Sequence, residues 1–197
     1  MQSPWRRART HAGAIVRSMA LSSPVRGSVT ALVLLAAAPP LVASAASPAR
    51  TPAVGRSLRQ SSQLWATIDV CNPSDQPDTV GIRGSMPGNG QSGEAMYMRF
   101  RLQYLDSTTK RFIDLANVVA PRFVTVGPAR SAREAGRSFQ LVPVAGGPAV
   151  RLRGVVTFQW RRGRTVVESI SRPTTAGHQS LAGADPLGFS AATCSIG

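Results

Sequence analysis

Lysine is almost absent from this chain. Of the 23 basic residues among 197, Lys110 is the single lysine and the rest are arginine. Acids are also few, at 9, so the formal net charge is +14. Charged residues reach only 16 %, below ordinary use. That shortage argues against a coiled coil or helical bundle, which needs abundant Glu, Lys, Leu and Ala. Two cysteines cannot build a zinc ribbon or a dense disulfide scaffold. Aromatics stand at 6 %, which leaves few stacking platforms for dedicated nucleic-acid binding. No apolar run approaches the roughly 20 residues that span a bilayer. What is abundant is turn chemistry, with 18 glycines and 15 prolines. The hydrophobic share of 43 % excludes full disorder.

The first 46 residues read as an export signal. Val29 to Ala38 is VTALVLLAAA, a short, mostly apolar stretch, and Ala43-Ser44-Ala45-Ala46-Ser47 follows with small residues. Ala43-x-Ala45 is a pattern that signal peptidase accepts, so cleavage falls after Ala45 or Ala46. Arg6-Arg7 lies too far upstream for an ordinary twin-arginine signal; initiation at Met19, with Arg26 as the positive charge, is the simpler reading. Without the five arginines of residues 1–46, the 23 basic residues fall to 18 against 9 acids, a net +9. The chain left is long enough for one hydrophobic core. Its two cysteines, Cys71 and Cys194, then sit in an oxidising compartment and most simply pair with each other.

Residues 47–63 (SPARTPAVGRSLRQSSQ) show no periodicity and are read as a flexible, disordered leader. From Leu64 the chain reads as strands. LWATIDVC alternates, and Asn72-Pro73-Ser74-Asp75 closes it with turn residues. Thr79–Ser85 is a shorter run. In AMYMRFRLQYL, Met96, Met98, Phe100, Leu102 and Tyr104 face one way, and Tyr97, Arg99, Arg101 and Gln103 the other. This period of two marks a half-buried strand. Arg111–Leu115, Arg122–Val126, Ser138–Val144, Val150–Trp160, Thr165–Ser171 and Phe189–Ile196 are further candidates. Only SAREAG, residues 131–136, reads as helical. Many short strands joined by Gly/Pro turns imply an all-β fold, a sandwich before a barrel, over residues 64–197.

The hairpin VVTFQWRRGRTVVESISR, taken with the two cysteines, resembles strand–turn–strand units of immunoglobulin-like sandwiches in bacterial exported proteins. LWATIDVC, GIRGSMPG, FRLQYL and RPTTAGH resemble segments of uncharacterised secreted proteins from high-GC actinobacteria. The resemblance implies an immunoglobulin-like β-sandwich and brings no activity with it. The Cys…Trp…Cys spacing of antibody domains is absent.

Candidate chemistry is sparse. His178, with Ser180 and Asp185 nearby, offers the residue types of a hydrolase, yet no G-x-S-x-G elbow surrounds any serine. An exported hydrolase with an unrecognised site is thus the alternative function, and a backbone-bonded loop histidine the plainer account. Asp69, Asp75 and Asp78 could suggest calcium, but no D-x-[DN]-x-[DN]-G loop holds them; Asx turns around Pro73 and Pro77 explain the latter two. The loop Gly84–Gly90 lacks the Gly-Lys-Ser/Thr of a phosphate-binding loop and reads as a mobile hairpin loop. No cofactor is implied.

The arginines are the best lead. Arg99 and Arg101 share the outer face of one strand, Arg151 and Arg153 that of another, and Arg161, Arg162 and Arg164 crowd a turn. In one sheet these would form an anion-attracting face. The implied partners are anionic polymers of the cell envelope, with no specific nucleic-acid binding; Tyr97 is the only obvious ring among them. Arginine standing in for lysine on a solvated surface is the alternative. The function expected is secreted, non-enzymatic binding or structural work at the envelope.

Overall fold

The computed structural model describes residues 52–115, 122–178 and 182–197. The signal-peptide reading lies outside them. One helix, α1 (Pro52–Gln60), precedes nine strands: β1 (Trp65–Cys71), β2 (Thr79–Met86), β3 (Ala95–Leu105), β4 (Phe112–Asp114), β5 (Val124–Pro128), β6 (Arg133–Gln140), β7 (Val150–Arg162), β8 (Thr165–Pro173) and β9 (Cys194–Ile196). The fold is all-β in this sense, with every strand pairing antiparallel.

The strands form two sheets. One has the order β1-β2-β6; the other has β4-β3-β7-β8, with β5 also on β3 and β9 also on β7. In the larger sheet β3 and β7 are the central pair, registered over ten residues from Ala95↔Arg161 to Tyr104↔Leu152. The alternation in β3 is what the ladder uses: Met96, Met98, Phe100 and Leu102 are buried, and the intervening side chains face out. Leu152, Val156, Phe158 and Trp160 of β7 join the same core, with Ala66 and Ile68 of β1 and Val80, Ile82 and Met86 of β2. Each such apolar side chain contributes about 1.5–3 kcal/mol when fully buried. The indole of Trp160 keeps its hydrogen bond by donating to the Pro87 carbonyl at 3.1 Å, so its burial leaves no polar atom unpaired.

Two glycines let the sheets meet. A Cβ on Gly84 would stand 3.1 Å from Phe158 and Val156, and one on Gly154 would stand 2.7 Å from Ile82 and Thr174. Both approaches run from one sheet to the other.

Three local readings are corrected. Residues 52–60 of the expected leader are helical: Leu58 of α1 is buried in the core, and Arg59 pairs with Glu168 of β8 at 2.5 Å. Tertiary packing stabilises this helix, where local propensity alone would be marginal. The expected SAREAG helix is instead the start of β6, which pairs with β2 without interruption from Thr79↔Gln140 to Met86↔Arg133. The last strand is also shorter than Phe189–Ile196. Ala191 bridges to Ile68 of β1, and only Cys194–Ile196 then pairs with Val150–Leu152 of β7. The chain end therefore passes from one sheet to the other.

Cys71 and Cys194 form the expected disulfide, closing a sequence separation of 123. It joins β1 of one sheet to β9 of the other.

Candidate functional site: the arginine face of the larger sheet

The pairing of β3 with β7 brings the arginines of both strands onto one outer surface. Tyr97, Arg99, Arg101 and Gln103 lie opposite Gln159, Thr157, Val155 and Arg153. No two arginines are directly opposed, so the repulsion of facing like charges is relieved by stagger.

At one end the guanidinium of Arg161 lies over Tyr97 at 4.3 Å and over Phe123 at 4.5 Å. Arg99 lies over the same Phe123 at 4.9 Å. The Arg161 Nε and a terminal nitrogen both donate to Gln159 Oε1, at 2.8 and 2.6 Å. At the other end Arg153 sits 4.1 Å over Phe112 and donates through Nε to Gln103 Oε1 at 2.8 Å. Gln103 Nε2 donates to Asp114 Oδ1 at 2.7 Å, and Arg101 donates to Asp114 Oδ2 at 2.5 Å. Asp114 is thus the one acid of this network.

Stacking on a ring holds a guanidinium flat while leaving its N–H edge available. Arg99 has no hydrogen-bond acceptor among the described residues, and its Nε is buried without one. Arg101 Nε is buried and unpartnered too. Both residues stay partly exposed, and a guanidinium edge held at a surface meets a carboxylate or phosphate with paired N–H donors; this is the chemistry the face offers.

The other predicted arginines divide. Arg151 is exposed at the far end of the same face, opposite Ser195 of β9. Arg162 leaves the face and reaches the buried carboxylate of Glu94 at 3.2 Å. Arg164 lies exposed in the turn between β7 and β8. Phe112 and Phe123 were not foreseen. Each flanks a short strand on the same edge of β3, Phe112 opening β4 and Phe123 just before β5, a placement that only the pairing of those strands supplies.

The remaining candidates have structural partners. The His178 ring stacks on Trp65, centroids 4.5 Å apart and planes 14° off parallel. Its Nε2 meets Thr175 Oγ1 at 3.0 Å, and its backbone N–H donates to Ser190 Oγ at 2.9 Å. Burial lowers its pKa from 6.5. Among the described residues no carboxylate bonds to the ring, and Ser180 lies outside them; Asp185 instead bridges to Val70 of β1. Asp69 is buried and accepts from Arg83 Nε at 2.8 Å. Asp75 is exposed in the turn after β1, and the backbone N–H of Asp78 donates to Asn72 Oδ1 at 2.7 Å, a bond that closes the loop between β1 and β2 in place of the expected Asx turn. No group of three His, Cys, Asp or Glu side chains able to hold a metal converges among the described residues. In the glycine-rich segment Gly84, Ser85 and Met86 belong to β2, and the backbone N–H groups of Asn89 and Gly90 both donate to the Ala129 carbonyl.

Among the described residues no helix is long and apolar enough to cross a membrane. What the fold and the face define is an all-β protein with one cationic, ring-lined sheet surface. No family model and no curated protein sequence matches the chain.

Proposed function

We propose that this protein is exported and binds anionic polymers of the cell envelope through the outer face of β3 and β7, acting by binding rather than catalysis. Its two stacked sheets are read as an immunoglobulin-like sandwich of the kind resembled by secreted actinobacterial proteins. The observation that carries the proposal is Arg99, a partly exposed cation laid on Phe123 with no acceptor among the described residues, in a face where Asp114 is the acid bonded among Arg99, Arg101, Arg153 and Arg161. The net +9 of residues 47–197 adds a long-range attraction.

Screening decides the test. The reach of such attraction shrinks from about 30 Å at 0.01 M salt to about 3 Å at 1 M. Sedimentation of the protein with anionic wall fractions should fall steeply across that range, and Arg99→Ser/Arg101→Ser should weaken it at low salt. Salt-independent binding, or none at 0.01 M, would overturn the proposal.

A further inference from the structure

We infer that the ligand of this face is a carboxylate-bearing polysaccharide, and that Asp114 is its built-in competitor. The inference rests on the anion-binding reading above and narrows it to one class of anion.

Asp114 ends β4, an edge strand of three residues. Its side chain is half exposed, at 51 %, yet both oxygens are engaged from β3: Oδ2 by Arg101 and Oδ1 by Gln103 Nε2. A carboxylate spread over two donors from alternate positions of one strand shows what the face accepts. The receiving groups are held from behind. Arg153 Nε can only donate, so its bond to Gln103 Oε1 turns the amide nitrogen toward the carboxylate. Arg153 in turn is fixed on Phe112.

Arg99, one pleat along, is stacked on Phe123 and has no acceptor among the described residues. Alternate residues of a strand are about 6.8 Å apart, so Arg99 and Arg101 offer two cationic positions at a regular step. Phe123 under Arg99 and Phe112 under Arg153 are half-buried, leaving part of each ring to meet apolar surface. A polymer whose carboxylates are carried on sugar rings has charge and C–H faces in alternation and matches this surface. A bare phosphate chain has only the charge.

A ligand seated on Arg101 and Gln103 must displace Asp114. Exposed ion pairs are worth up to about 1 kcal/mol, which is up to about fivefold in affinity. In titrations of the full chain at low salt, polygalacturonate should bind more tightly than inorganic polyphosphate of matched charge, and its methyl ester should not bind. Asp114→Asn should tighten polygalacturonate about two- to fivefold, and Arg99→Ser should loosen it by about tenfold or more. Asp75→Asn removes the same charge from a turn outside the face and should change affinity less than Asp114→Asn does. Equal or tighter binding of polyphosphate, or equal effects of the two Asp→Asn variants, would overturn the inference. If wall fractions still bind in a salt-sensitive way, the carboxylate assignment alone falls; if they do not, the anion-binding reading falls with it.

Discussion

Asp69 sits where β1 slips register against β2, between the pairs Ile68↔Ile82 and Val70↔Gly81. Such a bulge re-aims one side chain, and here Asp69 and Val70 both lie against Gly81, on the face of β2 where the carboxylate meets Arg83. Gly81 makes the room, since a Cβ there would lie 2.8 Å from Asp69 Oδ1. Removing one partner of a buried pair strands the other charge. Arg83→Met should therefore lower stability by about 3 kcal/mol, read as a fall in chemical-denaturation midpoint. Asp69→Asn added to it should restore part of the loss; no recovery in the double variant would mean the ion pair is not the cause. His178 gives a second test at this scale. Burial holds its folded pKa below the unfolded 6.5, so the unfolded chain binds the proton more readily. Its contribution is intact above 6.5 and is lost as pH falls through that value toward the folded one. Melting temperature should drop between pH 7 and pH 5, and less so in His178→Gln. An identical pH profile in the variant would assign the drop to other groups.

Among the elements, β6 and α1 show tertiary structure overruling local preference. Arg133–Gln140 contains Glu134 and Ala135, yet full pairing with β2 makes it a strand; β preference depends on such context. β9, like β4, is only three residues long, and it lies on the edge of β7 shared with β8. The Cys71–Cys194 bond anchors it. Closing a loop of this length is worth roughly 4–5 kcal/mol in chain-entropy models, comparable with the stability of many domains. Cys194→Ser should thus lower the melting temperature markedly and open the C-terminal residues to limited proteolysis. A variant with unchanged melting and cleavage would show that Ile196, fully buried beside the cysteine, suffices to hold the strand.

At the scale of the whole molecule, the proposed export bears on charge: without the five arginines of residues 1–46 the net charge falls from +14 to +9. Intact-mass measurement of the secreted protein should place its first residue at Ala46 or Ser47 and detect no free thiol before reduction. Retention of residues 1–45 on the mature protein would remove the export reading.

The strands that build the core were legible because a half-buried strand must alternate: Met96 to Leu102 and Leu152 to Trp160 carry their pleat in the residue order itself. The disulfide was legible from the count, since each cysteine has only one possible partner. The helix at Leu58 was not, because its stability comes from packing that no local pattern contains. The same holds for the face. Alternation alone places Arg99 and Arg101 outward, but a strand's neighbours are chosen by long-range pairing. Only the tertiary structure could set β7 beside β3, lay Phe112 and Phe123 against the arginines, and turn Arg162 away to Glu94.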